Sequence, residues 1–127
     1  MKRKEAREFV MKLMFQIEVQ NSYKTYNFNR LTEDVTLGGQ KDYVSNLLEK
    51  ICTNIETIDE HINSHSIGWD TGRMAKADLA ILRVAVGEIL FLEEVPKAVA
   101  INEAVDLAKK YGTDESPQYV NGILSKI

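Results

Sequence analysis

The chain has 127 residues, is 44% hydrophobic and 28% charged, and carries a formal net charge of −3. That is the size of one ordinary domain with enough apolar content to bury a core, and the negative balance excludes capture of nucleic acid by bulk electrostatic attraction. A single cysteine, Cys52, excludes an internal disulfide and fits a reducing interior, and no run of about 18 apolar residues offers a membrane span.

The charge is unevenly spread. Residues 1–12 hold five basic side chains (Lys2, Arg3, Lys4, Arg7 and Lys12) against Glu5 and Glu8, which leaves 11 basic and 17 acidic residues for the remainder. A basic tip on an acidic body points to a small, directed contact with an anion. Lys2, Arg3 and Lys4 lead into a periodic amphipathic segment rather than an unbroken apolar stretch, so a secretory leader is not expected. The expected setting is soluble and cytoplasmic.

Residues 4–20 read as a first helix, with Ala6, Phe9, Val10, Leu13 and Ile17 at helical spacing as its core stripe. On a wheel with Arg7 at zero, that stripe spans about 200° to 300°. Met11, Lys4 and Phe15 fall near about 40°, 60° and 80°, on another side. An aromatic ring beside Lys4 and Arg7 on an outer face is a platform for single-stranded nucleic acid, because bases stack and phosphates pair. The alternative is a second buried face, with Phe15 packed against another helix.

Residues 21–40 are polar and read as a loop holding one short helix near 28–35, closed by Gly38 and Gly39. Residues 41–63 read as one long helix, with Val44, Leu47, Leu48, Ile51, Ile55, Ile58 and Ile62 along one side and Cys52 beside them. His61 and His65 share a helix face, but two imidazoles without a third ligand do not form a metal site. Residues 64–70 connect to the second half. There Trp69 is expected to seal the helix junction and Asp70 or Thr71 to cap a short helix.

Residues 78–93 form the most apolar stretch, nonpolar nearly all round, and read as a central buried helix ended by Pro96. Arg83 and Glu88 within it are expected to form structural ion pairs. A following helix turns Ile101, Ala104, Val105, Ala108 and Tyr111 to one face and takes Gly112 as its C-cap. Ser116 as N-cap and Pro117 at the first helical position open a last helix that carries Tyr119, Val120, Ile123, Leu124 and Ile127 inward. No nucleophile has a recognisable base, no Gly-rich phosphate loop is present, and nothing calls for a cofactor. The expected classes are a small helical RNA- or protein-binding module, not an enzyme.

Several stretches in order resemble the NusB family of bacterial transcription antitermination factors. They are the opening Lys2-Arg3-Lys4-Glu5-Ala6-Arg7-Glu8; Trp69, Arg73, Asp78 and Ile81-Leu82-Arg83; Val95-Pro96 and Val99 to Val105; Leu107-Ala108-Lys109, Tyr111-Gly112 and Ser116; and Tyr119 to Leu124. The resemblance implies an all-α fold of two packed three-helix subdomains, here about residues 1–65 and 66–127. It implies binding of single-stranded boxA RNA from ribosomal operons, together with the ribosomal small-subunit protein NusE, within an RNA polymerase antitermination complex. By position it assigns RNA contacts to Lys2, Arg3, Lys4, Arg7 and Phe15, and to Tyr111, Glu115, Ser116 and Tyr119. It places Asp78 and Glu115 at the NusE-facing surface.

The chain departs from the family pattern in its basic run. Lysines replace two arginines and Glu5 stands where many relatives carry a cation, so weaker RNA binding alone and more reliance on NusE are expected. Some relatives dimerise, and the Met11–Phe15 patch is the candidate homodimer contact. Two other readings stand beside this one: a protein-only interaction module with Phe15 in the core, and the non-catalytic RNA-binding domain of an RNA methyltransferase.

Overall fold

A computed structural model describes residues 1–127 except Trp69, so the junction role expected of that side chain lies outside the described residues. Among the described residues the regular structure is entirely helical. The elements are α1 (Arg3–Gln20), α2 (Phe28–Leu31), a single 3-10 turn (Gly38–Gln40), α3 (Lys41–Thr53), α4 (Ile55–His65), α5 (Lys76–Phe91), α6 (Lys97–Tyr111) and α7 (Ser116–Leu124).

The apolar stretch expected at the centre is there. Every residue of α5 from Asp78 to Glu88 is buried. The helix packs on α1, α3 and α4 with one flank and on α6 and α7 with the other. A helix that is apolar all round has no solvent face, so both halves of the chain must close over it. One continuous core results, with Met14, Ile17, Leu47, Leu48, Ile51, Ile58, Leu82 and Leu124 fully buried. No helix of the described residues is long and apolar enough to cross a membrane.

Four local expectations are corrected. The long helix over 41–63 is broken at Asn54, which sits at φ −114°, ψ 27°. Its side-chain amide donates to the Lys50 carbonyl at 2.9 Å, and its backbone N–H returns there at 3.1 Å, which closes the end of α3. The apolar spacing runs unbroken from Ile51 to Ile55 to Ile58, so periodicity could not reveal the bend. The helix expected near 28–35 is one turn, and residues 71–74 form a turn rather than a helix; Asp70 caps it, its Oδ1 accepting from the Arg73 N–H at 3.1 Å. Ser116 lies one residue inside α7. It is 2% exposed, and its hydroxyl accepts from the upstream Thr113 N–H at 2.9 Å.

Gly112 does end α6, but at φ −94°, so no left-handed cap is formed. Glycine is needed there for close approach: a Cβ would stand 2.4 Å from the Ser116 side chain and 2.9 Å from the Ala108 carbonyl. Cys52 is buried at the core edge, and burial pushes its thiol up to about 12, so it stays protonated.

Gly87 marks where α5 and α3 come closest. A Cβ there would lie 2.7 Å from Ile51 Cγ1 and 3.4 Å from Leu47 Cδ1, and both side chains are fully buried with no room to retreat. Alanine at a helix interior is favoured by about 1 kcal/mol over glycine, but overpacking costs about 1–3 kcal/mol. Gly87→Ala is therefore expected to lower unfolding stability, which equilibrium urea denaturation will read directly.

Candidate nucleic-acid interface

The placement of the N-terminal cations begins with a buried ion pair. Arg7 is 4% exposed and Glu88, on α5, is 0% exposed. Arg7 Nε and Nη2 donate to the two carboxylate oxygens of Glu88 at 2.7 and 2.9 Å, the two-pronged geometry that suits a guanidinium. The Tyr43 hydroxyl donates to the same carboxylate at 3.1 Å. Burial and the nearby Glu88 charge hold the Tyr43 phenol well above its ordinary value. Arg7 is therefore held inside, with Nε and Nη2 on Glu88 and Nη1 3.9 Å from Glu103, rather than at the surface where the expected phosphate contact would need it. What it does is fix the rotation and height of α1 on α5.

The remaining cations at this pole fall into two sets. Arg3 lies 4.0 Å over the Tyr43 ring and donates to Gln40 Oε1 at 2.7 Å, with its side chain at the surface. Lys2 is exposed, and Glu5, read as a gap in the basic run, accepts from the Lys2 backbone N–H at 2.8 Å and so closes the start of α1. Lys4 is exposed but paired, donating to Glu103 at 2.9 Å and Asp106 at 3.3 Å on α6; those bonds raise its pKa.

Further along, α1 and α6 run side by side in the same direction. Glu8 accepts from Lys110 at 2.8 Å, and this hydrogen bond holds its carboxyl below the ordinary range. The Tyr111 ring lies between Lys12 at 5.8 Å and Lys110 at 5.3 Å. Phe15, next along this face of α1, is 41% exposed, so the second-buried-face reading of that ring does not hold. Met11, grouped with it on the wheel, is 3% exposed and belongs to the core, so it leaves the candidate dimer patch. Phe15 is thus exposed on the face of α1 that carries Lys12, and the Lys12 and Lys110 ammonium groups both meet the Tyr111 ring. Neither lysine was among the expected contacts. The signal for Lys110 was the lysine pair just before Gly112, which reads in the sequence as an ordinary charged helix end.

Asp78, Glu115, Ser116 and Tyr119 do come together. They line a cleft of about 390 Å³ between the start of α5 and the α6–α7 turn, with Arg73 and Thr113. Asp78 Oδ1 is buried there and accepts no hydrogen bond among the described residues. An orphaned buried carboxylate oxygen costs free energy until a donor reaches it. Ser116 is too buried to read a base, and the Tyr119 hydroxyl is engaged with Ser66 Oγ at 2.7 Å.

A second ion network ties the far end of α1 to the body. Arg83 donates to both oxygens of Asp59 at 2.9 and 2.7 Å and to Glu18 at 2.7 Å. Tyr23 and Lys76 also bond Glu18. The ion-pair role expected of Arg83 and Glu88 is thus found, with partners drawn from α1 and α4.

The comparisons with known proteins agree with this architecture. Residues 4–127 match the model of the NusB family. The transcription antitermination protein NusB of Alkaliphilus oremlandii is 42% identical over 99% of this chain and 92% of its own length. Among solved structures, T. maritima NusB is 30% identical with a TM-score of 0.87, covering 99% of this chain and 89% of its own. A chain from the crystal structure of antitermination factors NusB and NusE in complex with dsRNA is 25% identical with a TM-score of 0.82, covering 98% of this chain and 93% of its own.

Two measurements test the ion networks. Glu88→Ala removes both hydrogen bonds to the buried Arg7 guanidinium, leaving it only Glu103 at 3.9 Å, and is expected to cost about 3–5 kcal/mol of unfolding stability. At the other network, burial raises the Glu18 carboxyl, but hydrogen bonds from Tyr23, Arg83 and Lys76 outweigh it and lower the group from 4.5 to about 2. The folded value lies below the unfolded one. The stabilisation is therefore complete above pH 4.5 and fades as pH falls toward 2. Glu18→Gln is expected to be less stable at pH 7 and to show a shallower acid decline across that window in urea titrations at stepped pH.

Proposed function

The chain belongs to the NusB family, and we propose that it is a transcription antitermination factor acting in the cytoplasm. In this reading it binds the single-stranded boxA RNA of ribosomal operons, together with NusE, and helps RNA polymerase read through terminators. The observation that carries the RNA half is the exposed Phe15 ring on the face of α1 that carries Lys12, with Lys12 and Lys110 both on the Tyr111 ring. Bases stack on the rings, and Lys2, Arg3 and Lys12 meet phosphates, while Arg7 acts beneath them as the bolt that sets the surface. Lys4 and Lys110 contribute less, because Glu103, Asp106 and Glu8 already balance them.

The partner half rests on the acidic remainder of the chain and on Asp78. Ribosomal proteins are usually basic, so an acidic face steers one in, and a donor from it would satisfy the orphaned Asp78 oxygen with Glu115 close by. With its basic run weakened, the chain binds RNA less tightly alone than beside NusE, where two contact sets act on one strand.

A titration with boxA RNA and a scrambled control, with and without NusE, tests the reading. With about three phosphates neutralised, log affinity is expected to fall against log salt at a slope near about −2. Phe15→Ala is expected to leave unfolding stability within about 1 kcal/mol and to weaken RNA binding by about 5-fold or more, the loss of one stacked base. A flat salt dependence, or Phe15→Ala binding like wild type, would remove this surface from RNA recognition. A large stability loss with unchanged RNA binding would return the protein-only module.

A further inference from the structure

We propose that the cavity at the far end of α1 is a subsite for one more nucleotide, continuing the RNA track past Phe15; the proposal rests on the RNA-binding reading above. The cavity measures about 460 Å³ and lies between the last turns of α1 and the loop that leads through α2. Its wall carries the amides of Gln16, Gln20 and Asn27, the hydroxyls of Ser22 and Thr25, the Tyr26 ring and the Arg30 guanidinium. No aspartate or glutamate lines it. That is unusual on a body holding 17 acidic against 11 basic residues outside the first twelve positions. Among the described residues, no hydrogen bond or ion pair within the chain engages the side chains of Gln16, Gln20, Thr25 or Arg30.

The frame of the cavity is held in place. Asn21 takes the left-handed conformation at φ 51°, and the N–H groups of Asn21 and Ser22 return to the carbonyls of Glu18 and Ile17 at 3.2 and 3.0 Å. Tyr26 N–H donates to the Ser22 carbonyl at 3.0 Å, and Asn27 Oδ1 accepts from the Arg30 N–H at 3.1 Å. The loop is thus preorganised, and a ligand need not order it.

The groups match a nucleobase. Side-chain amides offer donor and acceptor together, as a base edge requires, and a phenol ring accepts stacking. The negative end of the α1 dipole points toward this region and favours the N–H groups of a base over a phosphate deep in the cavity. Arg30 supplies the single cation that a backbone phosphate at the rim requires. Gln20 lies about 7.5 Å along the helix axis from Phe15 and about 140° around it, with Val19, 64% exposed, between them in height and angle, so a strand leaving Phe15 would have to wrap over Val19 at the end of α1 to enter the cavity.

The test uses three oligoribonucleotides with NusE present: a boxA core, and the core extended by three nucleotides at its 5′ or its 3′ end. Wild type is expected to bind one extended RNA about tenfold tighter than the core, the worth of one stacked base. The double variant Gln20→Ala/Arg30→Ala is expected to bring that RNA back to the core level while core binding and melting temperature stay as in wild type. Wild type gaining nothing from either extension overturns the proposal, as does a double variant that keeps the gain. A variant that loses NusE binding while its RNA affinities hold makes the cavity a protein site and also overturns it. If wild type does not bind the core at all, the RNA-binding reading itself fails, which is a separate and recognisable result.

Discussion

The interaction on which this surface depends is the buried pair between Arg7 and Glu88. A fully buried carboxylate is tolerable only with a charge and hydrogen bonds around it, and Glu88 has a two-pronged guanidinium and the Tyr43 hydroxyl. Such a pair adds little net stability over an apolar replacement, but it admits few geometries. With Arg7 fixed on α5, the face of α1 that carries Lys4, Glu8, Lys12 and Phe15 is fixed too. It is then directed at α6, where Glu103, Asp106, Lys110 and Tyr111 meet it in register. The side proposed to face RNA is therefore the outward consequence of an inward contact.

Much of this was legible in the residues. The apolar stretch from Asp78 to Glu93 announced a central helix, found at Lys76–Phe91, and the Ser-Pro and Tyr-Gly pairs marked the borders of α6 and α7. The first-helix wheel placed Phe15 outside the core stripe, and the structure leaves it at the surface. The same wheel failed for its neighbours Met11 and Arg7. It assumes one buried face, whereas α1 is covered by α3 as well as α5, so residues at an intermediate angle are also enclosed. Arg7 was read as a surface cation because nothing in a linear sequence joins it to a carboxylate 81 positions away. The bend at Asn54 was hidden by an apolar spacing that suits a straight helix equally well.

The expected contact set changes for the same reason. Counting charges along residues 1–12 treats each as available, but most of them have partners in the fold: Arg7 inside, Lys4 and Glu8 across to α6, Arg3 on Gln40, and Glu5 at the helix start. The net positive surface shifts toward Lys12 and Lys110, around Tyr111. Glu8 and Lys110 form a pair on that face too, with their side chains partly or largely exposed, so it is weakly held and can open when a phosphate competes for the lysine.

An acidic protein that binds RNA must solve an ordering problem, since most of its surface repels the ligand. Here the repulsion and the attraction are placed on different elements. Ion pairs on α1 and α6 neutralise carboxylates such as Glu103, Asp106 and Glu8 that would otherwise face the strand. Asp78, with its unsatisfied oxygen, and Glu115 line the cleft at the α6–α7 turn. A basic partner seated on that cleft would remove the nearest repulsive charges from the path of the RNA. Each ligand would then improve the field felt by the other without any change of fold. Cooperation between RNA and protein partner follows from the charge layout alone, and by linkage it must be equal in both directions.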